Sequence, residues 1–298
     1  MDAIEEAARR LTTARLAGRR IQMLPADCRP ADEAAAYAVQ AAAHTLLTAA
    51  RLAGGRIGML PADCRPADEA AAYAVQAAAH DILSAAGRGA RVGWKIGCTT
   101  PVMQRFLDIH NPCAGGMLAG GLHRGQARLR HADFIKGAVE CEIAVALAAD
   151  LPAGGAPYDR DRVAPAVGAC MAAIELVDDR YDDYRSLGTP TLIADDFFHV
   201  GCVLAPPVAD WRRLDLAALT GTTTINGVEV GRGQGGDVMG HPFAALAWLA
   251  NSLAARGRGL ARGEIVLTGS VVETRWVAPG DAVVIRIDGL GEAGAIFA

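Results

Sequence analysis

The sequence predicts an α+β fold, with a curled, mostly β core that follows an N-terminal helical segment. After Gly87, short β-rich runs are separated by glycine and proline, a pattern typical of strands and loops. Before it, alanine-rich stretches run on without a helix breaker. The predicted strands and helices do not alternate strictly, so we do not expect a doubly wound parallel sheet.

Two regions follow from this division: a helical segment at residues 1–86 and a β-rich core at residues 87–298. The helical segment contains a tandem repeat, because residues 15–44 and 51–80 differ at only two positions. Two copies are too few for a solenoid. We interpret them as a recent duplication, or a sequence-assembly artefact, of one helical segment, with residues 15–50 as the insertion.

Hydrophobic runs locate the elements of the core. The predicted strands are Val92–Ile96, Val139–Leu147, Phe198–Leu204, Thr222–Val230, Ile265–Thr268 and Ala282–Ile287. The predicted helices are Val163–Val177, Pro242–Arg256 and a shorter one near Thr100–Leu107.

Composition excludes several classes of function. Apolar residues make up 52% of the chain and the formal net charge is -4, without a basic stripe, so we expect no nucleic-acid partner. Seven cysteines include no C-x-x-C pair, which argues against zinc knuckles and predicts reduced thiols in a cytoplasmic protein. The sequence has no signal peptide and no uncharged apolar run of roughly 18 residues, so no membrane span is expected.

Glu140 and Glu142 form an E-x-E pair inside the predicted strand Val139–Leu147. Residues two apart on a strand point to the same face, so two carboxylates project together from a hydrophobic strand. A divalent cation would offset both their repulsion and their burial, and all-oxygen ligation favours Mg²⁺ or Mn²⁺ over zinc. The alternative is an edge strand with two solvated glutamates.

Two further charged residues lie in apolar surroundings. Glu175 follows an apolar stretch and is a third candidate ligand, although a helix-end pair with Arg180 would also explain it. Lys95 lies in the strand-like run Gly93–Gly97, where a lysine beside a metal could have a lowered pKa and act in proton transfer. The alternative is an exposed lysine whose aliphatic stem covers apolar surface.

Two glycine-containing segments are candidate loops for binding a substrate carboxylate or a nucleotide. Thr268, Gly269 and Ser270 end a predicted strand, and the backbone N–H groups of such a turn suit a substrate carboxylate. The Gly-rich run at 231–236 lacks the Lys-Ser/Thr of a P-loop, so we do not predict nucleotide binding. His241 precedes Pro242 and is interpreted as a helix cap. A G-x-S-x-G motif does not occur, so serine hydrolysis is not supported.

Six fragments in order resemble the 2-keto-4-pentenoate hydratase branch of the fumarylacetoacetate hydrolase family. The resemblance runs from about residue 51 to the C-terminus. The fragments are Gly-Trp-Lys-Ile-Gly-Cys-Thr (93–99), Val-Glu-Cys-Glu-Ile-Ala (139–144), Ala-Ile-Glu-Leu-Val-Asp-Asp-Arg (173–180), Gly-His-Pro-Phe-Ala-Ala-Leu-Ala-Trp-Leu-Ala-Asn (240–251), Leu-Thr-Gly-Ser-Val (267–271) and Pro-Gly-Asp-Ala-Val (279–283).

The resemblance implies a mixed β-roll core that binds Mg²⁺ or Mn²⁺ through Glu140, Glu142 and Glu175. It implies Lys95 as the proton shuttle and a substrate contact at Asp195. The substrate would be a small 2-oxo acid that chelates the metal. The implied reaction is addition of water to 2-hydroxypenta-2,4-dienoate in the catabolism of aromatic compounds, by a homo-oligomer.

The chain departs from the family pattern at two places, which keeps other functions open. Phe197 and Phe198 stand where the family commonly has small residues, and they either fill substrate space or demand a different substrate. The loop Asn111–Gly116 lacks the acidic residue of many hydratases. The alternatives are a 2-oxo-acid decarboxylase, an acylpyruvate-type C–C hydrolase whose water-activating histidine would be His80 or His110, and a non-catalytic homologue.

Overall fold

Helices and strands were assigned in a computed structural model that describes residues 33–61, 65–106 and 109–298. Most of the first repeat copy, including Cys28, lies outside the described residues, as does Cys64. The helices are α1 (Glu33–Ala53), α2 (Glu69–Leu83), α3 (Pro101–Phe106), α4 (Arg160–Val163), α5 (Thr189–Ala194) and α6 (Pro242–Ala254). The strands are β1 (Arg91–Gly97), β2 (Cys113–Leu118), β3 (Leu122–Arg124), β4 (Gln126–Leu129), β5 (Gly137–Leu147), β6 (Val167–Asp178), β7 (His199–Leu204), β8 (Thr220–Ile225), β9 (Val228–Gln234), β10 (Ile265–Ser270), β11 (Arg275–Trp276), β12 (Ala282–Ile287) and β13 (Gly291–Phe297).

The strands form two mixed sheets that pack on each other. The larger sheet has the order β2-β1-β10-β5-β6-β7-β3, with β11 pairing to β5, and the smaller has the order β4-β13-β12-β8-β9. Strands β12 and β13 of the smaller sheet pack against β6 at the centre of the larger one. The α+β class is therefore confirmed, and the long antiparallel pair β5 and β6 forms its middle.

The predicted helix Val163–Val177 is wrong. An α-helix covers only Arg160–Val163, a 3-10 turn follows at Ala164–Ala166, and Val167–Asp178 is strand β6. Nearly all of β6 is buried, because it lies between β5 and β7 and under the smaller sheet. Burial on both faces removes the apolar-polar alternation that marks a half-buried strand. Tertiary packing then outweighs the helix preference of alanine and methionine.

The predicted run Thr222–Val230 is a hairpin of two strands, β8 and β9. Asn226 and Gly227 form its turn, with φ of 53° and 80°. Two successive positive φ angles match the right-handed twist of a two-residue hairpin, which is why Asn-Gly is favoured there. Strands β2, β3, β4, β11 and β13 and helix α5 were not predicted. The predicted strand Ala282–Ile287 is present with the same ends, and the other predicted strands and helices of the core are present with shifted ends.

The N-terminal helices pack beside the larger sheet, and α2 contacts both α1 and α5. Helix α2 begins at Glu69, since Asp68 caps it by accepting a hydrogen bond from the Ala71 N–H at 2.8 Å. Pro66, a residue type that also suits a helix start, lies before the cap. Helix α1 runs from the first repeat copy into the second without a break. In the described part of the chain, no helix is both long and apolar enough to cross a membrane.

Candidate active site

Three glutamates from two neighbouring strands converge at one point. Glu140 and Glu142 lie two residues apart on β5, and Glu175 on β6 lies directly opposite Glu140 in the antiparallel register. Each of the three offers a carboxylate oxygen within 4.8 Å of the others. The correction of β6 from helix to strand explains this convergence, because only the strand register brings Glu175 across from Glu140.

The three carboxylates are strongly perturbed by burial and by one another. Glu142 and Glu175 are 0% exposed. Burial, followed by the charge of Glu175, raises the pKa of Glu142 well above its usual value and raises the pKa of Glu140 to about 7. Burial would also raise the pKa of Glu175, but Lys95 and then His199 outweigh it and lower that pKa to about 2. Without a cation, the cluster would therefore hold protons at pH 7.

Unpartnered oxygens indicate that the cluster suits a cation. Oε1 of Glu142 and Oε2 of Glu175 are buried and accept no hydrogen bond from the described residues. A buried carboxylate oxygen left without a donor costs free energy, which a cation offsets. An all-oxygen set of donors matches hard divalent ions such as Mg²⁺. The residues present therefore fit a divalent metal.

Lys95 lies beside this cluster and is 3% exposed. Its Nζ donates a hydrogen bond to the Phe197 carbonyl at 2.8 Å and lies 3.5 Å from Oε1 of Glu175. Burial would lower the pKa of Lys95, but Glu175 and then Glu140 outweigh it, so the pKa lies above its usual value. The sequence-based expectation of a lowered pKa concerned a lysine beside a bound cation. In the cation-free cluster, the negative charge of the carboxylates outweighs the effect of burial on the pKa of Lys95.

The turn at residues 268–270 binds a carboxylate, but that carboxylate belongs to the protein. The Gly269 N–H donates to Oε2 of Glu142 at 2.7 Å. Gly269 has φ of 121°, and a Cβ there would lie 2.6 Å from the Thr99 side chain, so the position requires glycine. The Thr268 hydroxyl donates to the Ile143 carbonyl, and only Ser270 of the three lines the cavity.

Asp195 does not line the cavity, and its predicted substrate contact stays a prediction. It is 1% exposed, and its carboxylate accepts hydrogen bonds from Arg180 at 2.6 Å and from the Tyr181 hydroxyl at 2.8 Å. The family motif indicates the segment but not which way each side chain of the turn points. Asp195 therefore holds the turn to the segment that follows β6.

The next residue, Asp196, anchors the turn to the N-terminal helices. Its carboxylate accepts hydrogen bonds from His80 at 2.7 Å, from the Gly116 N–H at 2.8 Å and from Arg51 at 2.7 Å. Burial would raise the pKa of Asp196, but His80 and then Arg51 hold it far below its usual value. His80 is committed to this buried pair and does not line the cavity, which argues against its use to activate water.

His199 is a site residue that the sequence reasoning missed. It is buried, and its Nδ1 lies 2.9 Å from Oε1 of Glu175. It reaches Glu175 because β7 pairs with β6. The E-x-E spacing carries no information about this contact, so only the strand order could have located it. By contrast, the predicted cap at His241 is confirmed, since its Nδ1 accepts a hydrogen bond from the Phe243 N–H at 3.0 Å.

A cavity of about 590 Å³ opens beside Lys95 and Glu140. Its polar end also carries Ser270 and Thr274, and the Thr274 hydroxyl donates to Glu140. Apolar and aromatic side chains form much of the remaining lining, which also includes three carboxylates. The apolar and aromatic residues are Met103, Val177, Tyr184, Phe197, Phe198, Val271, Val272 and Trp276, and the carboxylates are Asp179, Asp237 and Glu273. This combination of a few convergent polar groups and apolar walls is typical of a small-molecule site.

Residues 124–296 match the family of fumarylacetoacetate (FAA) hydrolase C-terminal domains. The chain belongs to the fumarylacetoacetate hydrolase family. The matched residues include both strands of the glutamate cluster, the turn at 196–198 and the Gly269 turn, whereas Lys95 lies outside them.

Similarity to individual proteins places the chain in the hydratase branch of this family. It is 34% identical to a 2-keto-4-pentenoate hydratase of Paraburkholderia phymatum over 216 residues, which cover 71% of this chain and 80% of the relative. It is 30% identical to a 4-oxalocrotonate decarboxylase of Pseudomonas putida over 206 residues, covering 69% and 77% of the two chains.

A solved structure agrees over nearly its whole length. This is a 4-oxalocrotonate decarboxylase from Pseudomonas putida G7 in complex with magnesium and adipate, with a TM-score of 0.80 and 27% identity. The match covers 87% of this chain and 97% of the decarboxylase. The fold is therefore that of the family, and the chain is an enzyme of the hydro-lyase type by its hydratase relatives.

Proposed function

We propose that this enzyme is a divalent-metal-dependent hydratase that adds water to 2-hydroxypenta-2,4-dienoate or a related 2-oxo acid. The observation that carries the proposal is the convergence of Glu140, Glu142 and Glu175 within 4.8 Å at the end of a cavity that also contains Lys95. The hydratase names of the relatives at 33–34% identity support the reaction.

Glu140, Glu142 and Glu175 would hold the ion, which we take to be Mg²⁺ or Mn²⁺. The unpartnered oxygens of Glu142 and Glu175 support this role, and so does the magnesium in the related decarboxylase structure. A bound divalent ion would supply Lewis acidity toward the oxygens of a 2-oxo acid. His199 and the Gly269 N–H orient two of the three carboxylates, as outer partners of metal ligands commonly do.

Lys95 would carry the proton between the enol and keto forms of the substrate. Its Nζ is fixed by the Phe197 carbonyl and by Glu175, and the ammonium borders the cavity. A buried, hydrogen-bonded donor of this kind is held in position before the substrate arrives. The dienol would gain a proton to become the 2-oxo acid, and water would then add at the distal carbon to give 4-hydroxy-2-oxopentanoate.

Asp179 is a candidate partner for the attacking water. It lines the cavity one residue beyond β6, and its Oδ1 is buried without a hydrogen-bond donor among the described residues. A free carboxylate oxygen can accept a proton from water held against it. Asp179 would therefore supply the acidic group that the loop Asn111–Gly116 lacks.

The test combines a binding measurement with a reaction measurement. Mn²⁺ should bind wild-type protein, and oxalate, which mimics the chelating end of the substrate, should tighten that binding. Ultraviolet loss of dienol absorbance should follow addition of 2-hydroxypenta-2,4-dienoate, and Lys95→Met should retain Mn²⁺ binding while losing this activity. If neither Mn²⁺ nor Mn²⁺ with oxalate binds, the chain is a non-catalytic homologue.

Decarboxylation of a 2-oxo dicarboxylate is the second candidate. The related decarboxylase structure and the 30% identical decarboxylase support it, and the metal ligands do not discriminate between the two reactions. Release of CO₂ from 2-oxo-3-hexenedioate, measured beside dienol loss on the same preparation, separates them. The hydrolase alternative would instead release two carboxylic acid products from an acylpyruvate.

The assembly and compartment are proposed from the family resemblance. We infer a homo-oligomer in the cytoplasm, with a small 2-oxo acid as its ligand. Size-exclusion chromatography with light scattering would give the subunit number, and a monomer at micromolar concentration would contradict the first part of this inference.

A further inference from the structure

We propose that the cavity selects 2-oxo acids whose distal end is neutral and apolar, with room for an aryl group, and discriminates against a distal carboxylate. This inference rests on the proposed function, since it takes the glutamate cluster and Lys95 as the end that binds the 2-oxo acid. It narrows the substrate class from the charges and shapes of the residues farther along the cavity.

The charges around the cavity disfavour a second carboxylate. Lys95 is the one cation among the described residues that line it, and that lysine lies at the metal end. Four carboxylates share the lining: Glu140, Asp179, Asp237 and Glu273. A distal carboxylate would lose its hydration shell without gaining a cationic partner, and it would be repelled by like charges.

Two nearby cations are already paired and do not line the cavity. Lys136 lies 3.6 Å from Asp179 and stacks over the Trp276 ring at 4.0 Å. Arg275 lies 3.3 Å from Glu273. A substrate carboxylate would have to compete with Asp179 for Lys136 or with Glu273 for Arg275.

An aromatic cluster forms part of the cavity wall and begins beside the charged end, where the Phe197 ring centroid lies 5.3 Å from Lys95 Nζ. The rings of Phe197 and Phe198 lie 5.6 Å apart, and Phe198 contacts Tyr184 at 5.4 Å, both pairs in edge-to-face geometry. Trp276 also lines the cavity and is 50% exposed, with Lys136 stacked over its ring. Such rings bury large apolar area and prefer a planar apolar partner.

The wall is held rigidly by an unusual backbone. Asp196, Phe197 and Phe198 have φ of 60°, 51° and 69°, three successive left-handed residues of which none is glycine. Such residues are disfavoured and persist only where their surroundings fix them. Asp196 provides that anchor through Arg51 and His80, so the phenylalanines stand in place before a ligand binds.

The volume of the cavity favours a substituent larger than vinyl. At about 590 Å³ it falls in the range of pockets that enclose drug-sized ligands, which a five-carbon acid does not fill. The two phenylalanines therefore do not close the cavity but line it with ring faces. An aryl or long alkyl group is the chemistry that would complete this apolar part.

A matched series of ligands tests the inference by binding rather than by turnover. Mn²⁺-loaded protein is titrated with 2-oxohexanoate, 2-oxoadipate and 4-phenyl-2-oxobutanoate, with heat and tryptophan fluorescence as readouts. The first two share a six-carbon chain and differ only in a terminal methyl or carboxylate. We expect 2-oxoadipate to bind roughly tenfold or more weakly than 2-oxohexanoate, and the phenyl compound to bind most tightly.

Two variants assign the selectivity to the cavity. Met103→Lys adds a cation at a lining position that is 42% exposed, so it should fold normally and raise the affinity for 2-oxoadipate relative to 2-oxohexanoate. Trp276→Ala should weaken the phenyl compound selectively and reduce its fluorescence response. Val102→Lys, on the same helix but outside the lining, is the control and should change neither ratio.

The outcomes separate failure of this inference from failure of the proposed function. If oxalate and all three 2-oxo acids fail to bind the Mn²⁺-loaded protein, the proposed function itself fails. If the 2-oxo acids bind but 2-oxoadipate equals or exceeds 2-oxohexanoate, the function survives and the proposed selectivity is overturned. The latter result would also favour the decarboxylase candidate.

Discussion

Glu140 and Glu175 occupy directly opposed positions on strands β5 and β6. The apolar residues around each of them on its strand are almost fully buried. Like charges directly across a strand pair destabilise a sheet. The arrangement is therefore costly for the fold and becomes favourable only with a cation or a proton between the carboxylates. This relationship links the stability of the sheet to ligand binding.

Glu142→Gln should separate the cost of the clustered carboxylates to the metal-free fold from the stabilisation that a bound cation provides. Because the raised pKa of Glu142 favours its neutral form, the isosteric amide should leave the Tm of the metal-free protein unchanged or higher. Wild-type protein should gain about 2.7 kcal/mol from Mn²⁺ at a hundredfold excess over Kd, and the variant should gain much less. Thermal denaturation with and without Mn²⁺ measures both. Glu292→Gln, at an exposed position of β13, should behave as wild type.

His199→Ala should weaken metal binding without removing a metal ligand. His199 orients Glu175, so its loss should lower Mn²⁺ affinity by about 10–100-fold, the usual effect of removing an outer partner of a ligand. Isothermal titration with Mn²⁺ is the measurement. His199→Asn, which can still donate to the carboxylate, should recover part of the loss. His241→Ala, which removes only the cap of α6, should leave Mn²⁺ affinity intact.

Asp196→Asn should destabilise the protein by an amount that shrinks in acid. Removing one partner of a buried ion pair costs about 3–5 kcal/mol. The folded-state pKa of Asp196 lies far below the ordinary 3.8, so its stabilisation is fully present above that pH and is lost gradually as the pH falls below it. The difference in urea midpoint between the two proteins should therefore be constant from pH 6 to about pH 4 and should narrow as the pH falls further to pH 3. A difference that stays constant down to pH 3 would show that the ion pair is not the source.

We propose that residues 15–50 are an insertion, and that after their deletion the residues before position 15 would form the helix that now is α1. Three buried residues of α1 are Ala43, Leu47 and Thr48. The residues 36 positions earlier are Ala7, Leu11 and Thr12, which the deletion would place in the same helical positions before Arg51. The deletion would also remove His44, whose Nδ1 is buried without a partner. The related decarboxylase structure supports the proposal, since 97% of its length matches only 87% of this chain.

The 15–50 deletion variant should match or exceed wild-type Tm and retain Mn²⁺ binding. Deleting residues 7–50 instead removes the replacement residues as well as the insertion, and should lower both the yield of soluble protein and the Tm. Equal loss of soluble protein in the two deletions would show that the first copy contributes to the fold.

The strand period alone predicts that Glu140 and Glu142 share a face, and that inference needs no tertiary information. The location of Glu175 does need it. The stretch around Cys170 contains alanine, methionine and cysteine and is buried on both faces, so neither the helical nor the strand period is visible in it. The family resemblance identified Glu175 even though its secondary structure was predicted wrongly.

The contacts that orient the site come from distant parts of the chain and leave little trace in the sequence. His199 meets Glu175 through strand order, and Asp196 rather than Asp195 meets His80 because of a left-handed turn. A run of Asp-Asp cannot indicate which of the two carboxylates turns toward which partner. Local patterns therefore predict the ligands, and only the fold reveals what holds them.

The Phe197 carbonyl that accepts a hydrogen bond from Lys95 follows Asp196, which Arg51 and His80 hold from α1 and α2. The N-terminal helices thus fix the position of the Lys95 ammonium, although none of their described residues lines the cavity. A small slippage of those helices would misalign proton delivery while leaving every metal ligand in place. Turnover would then decay earlier on heating than metal affinity does, with the helical end as the first part of the enzyme to fail.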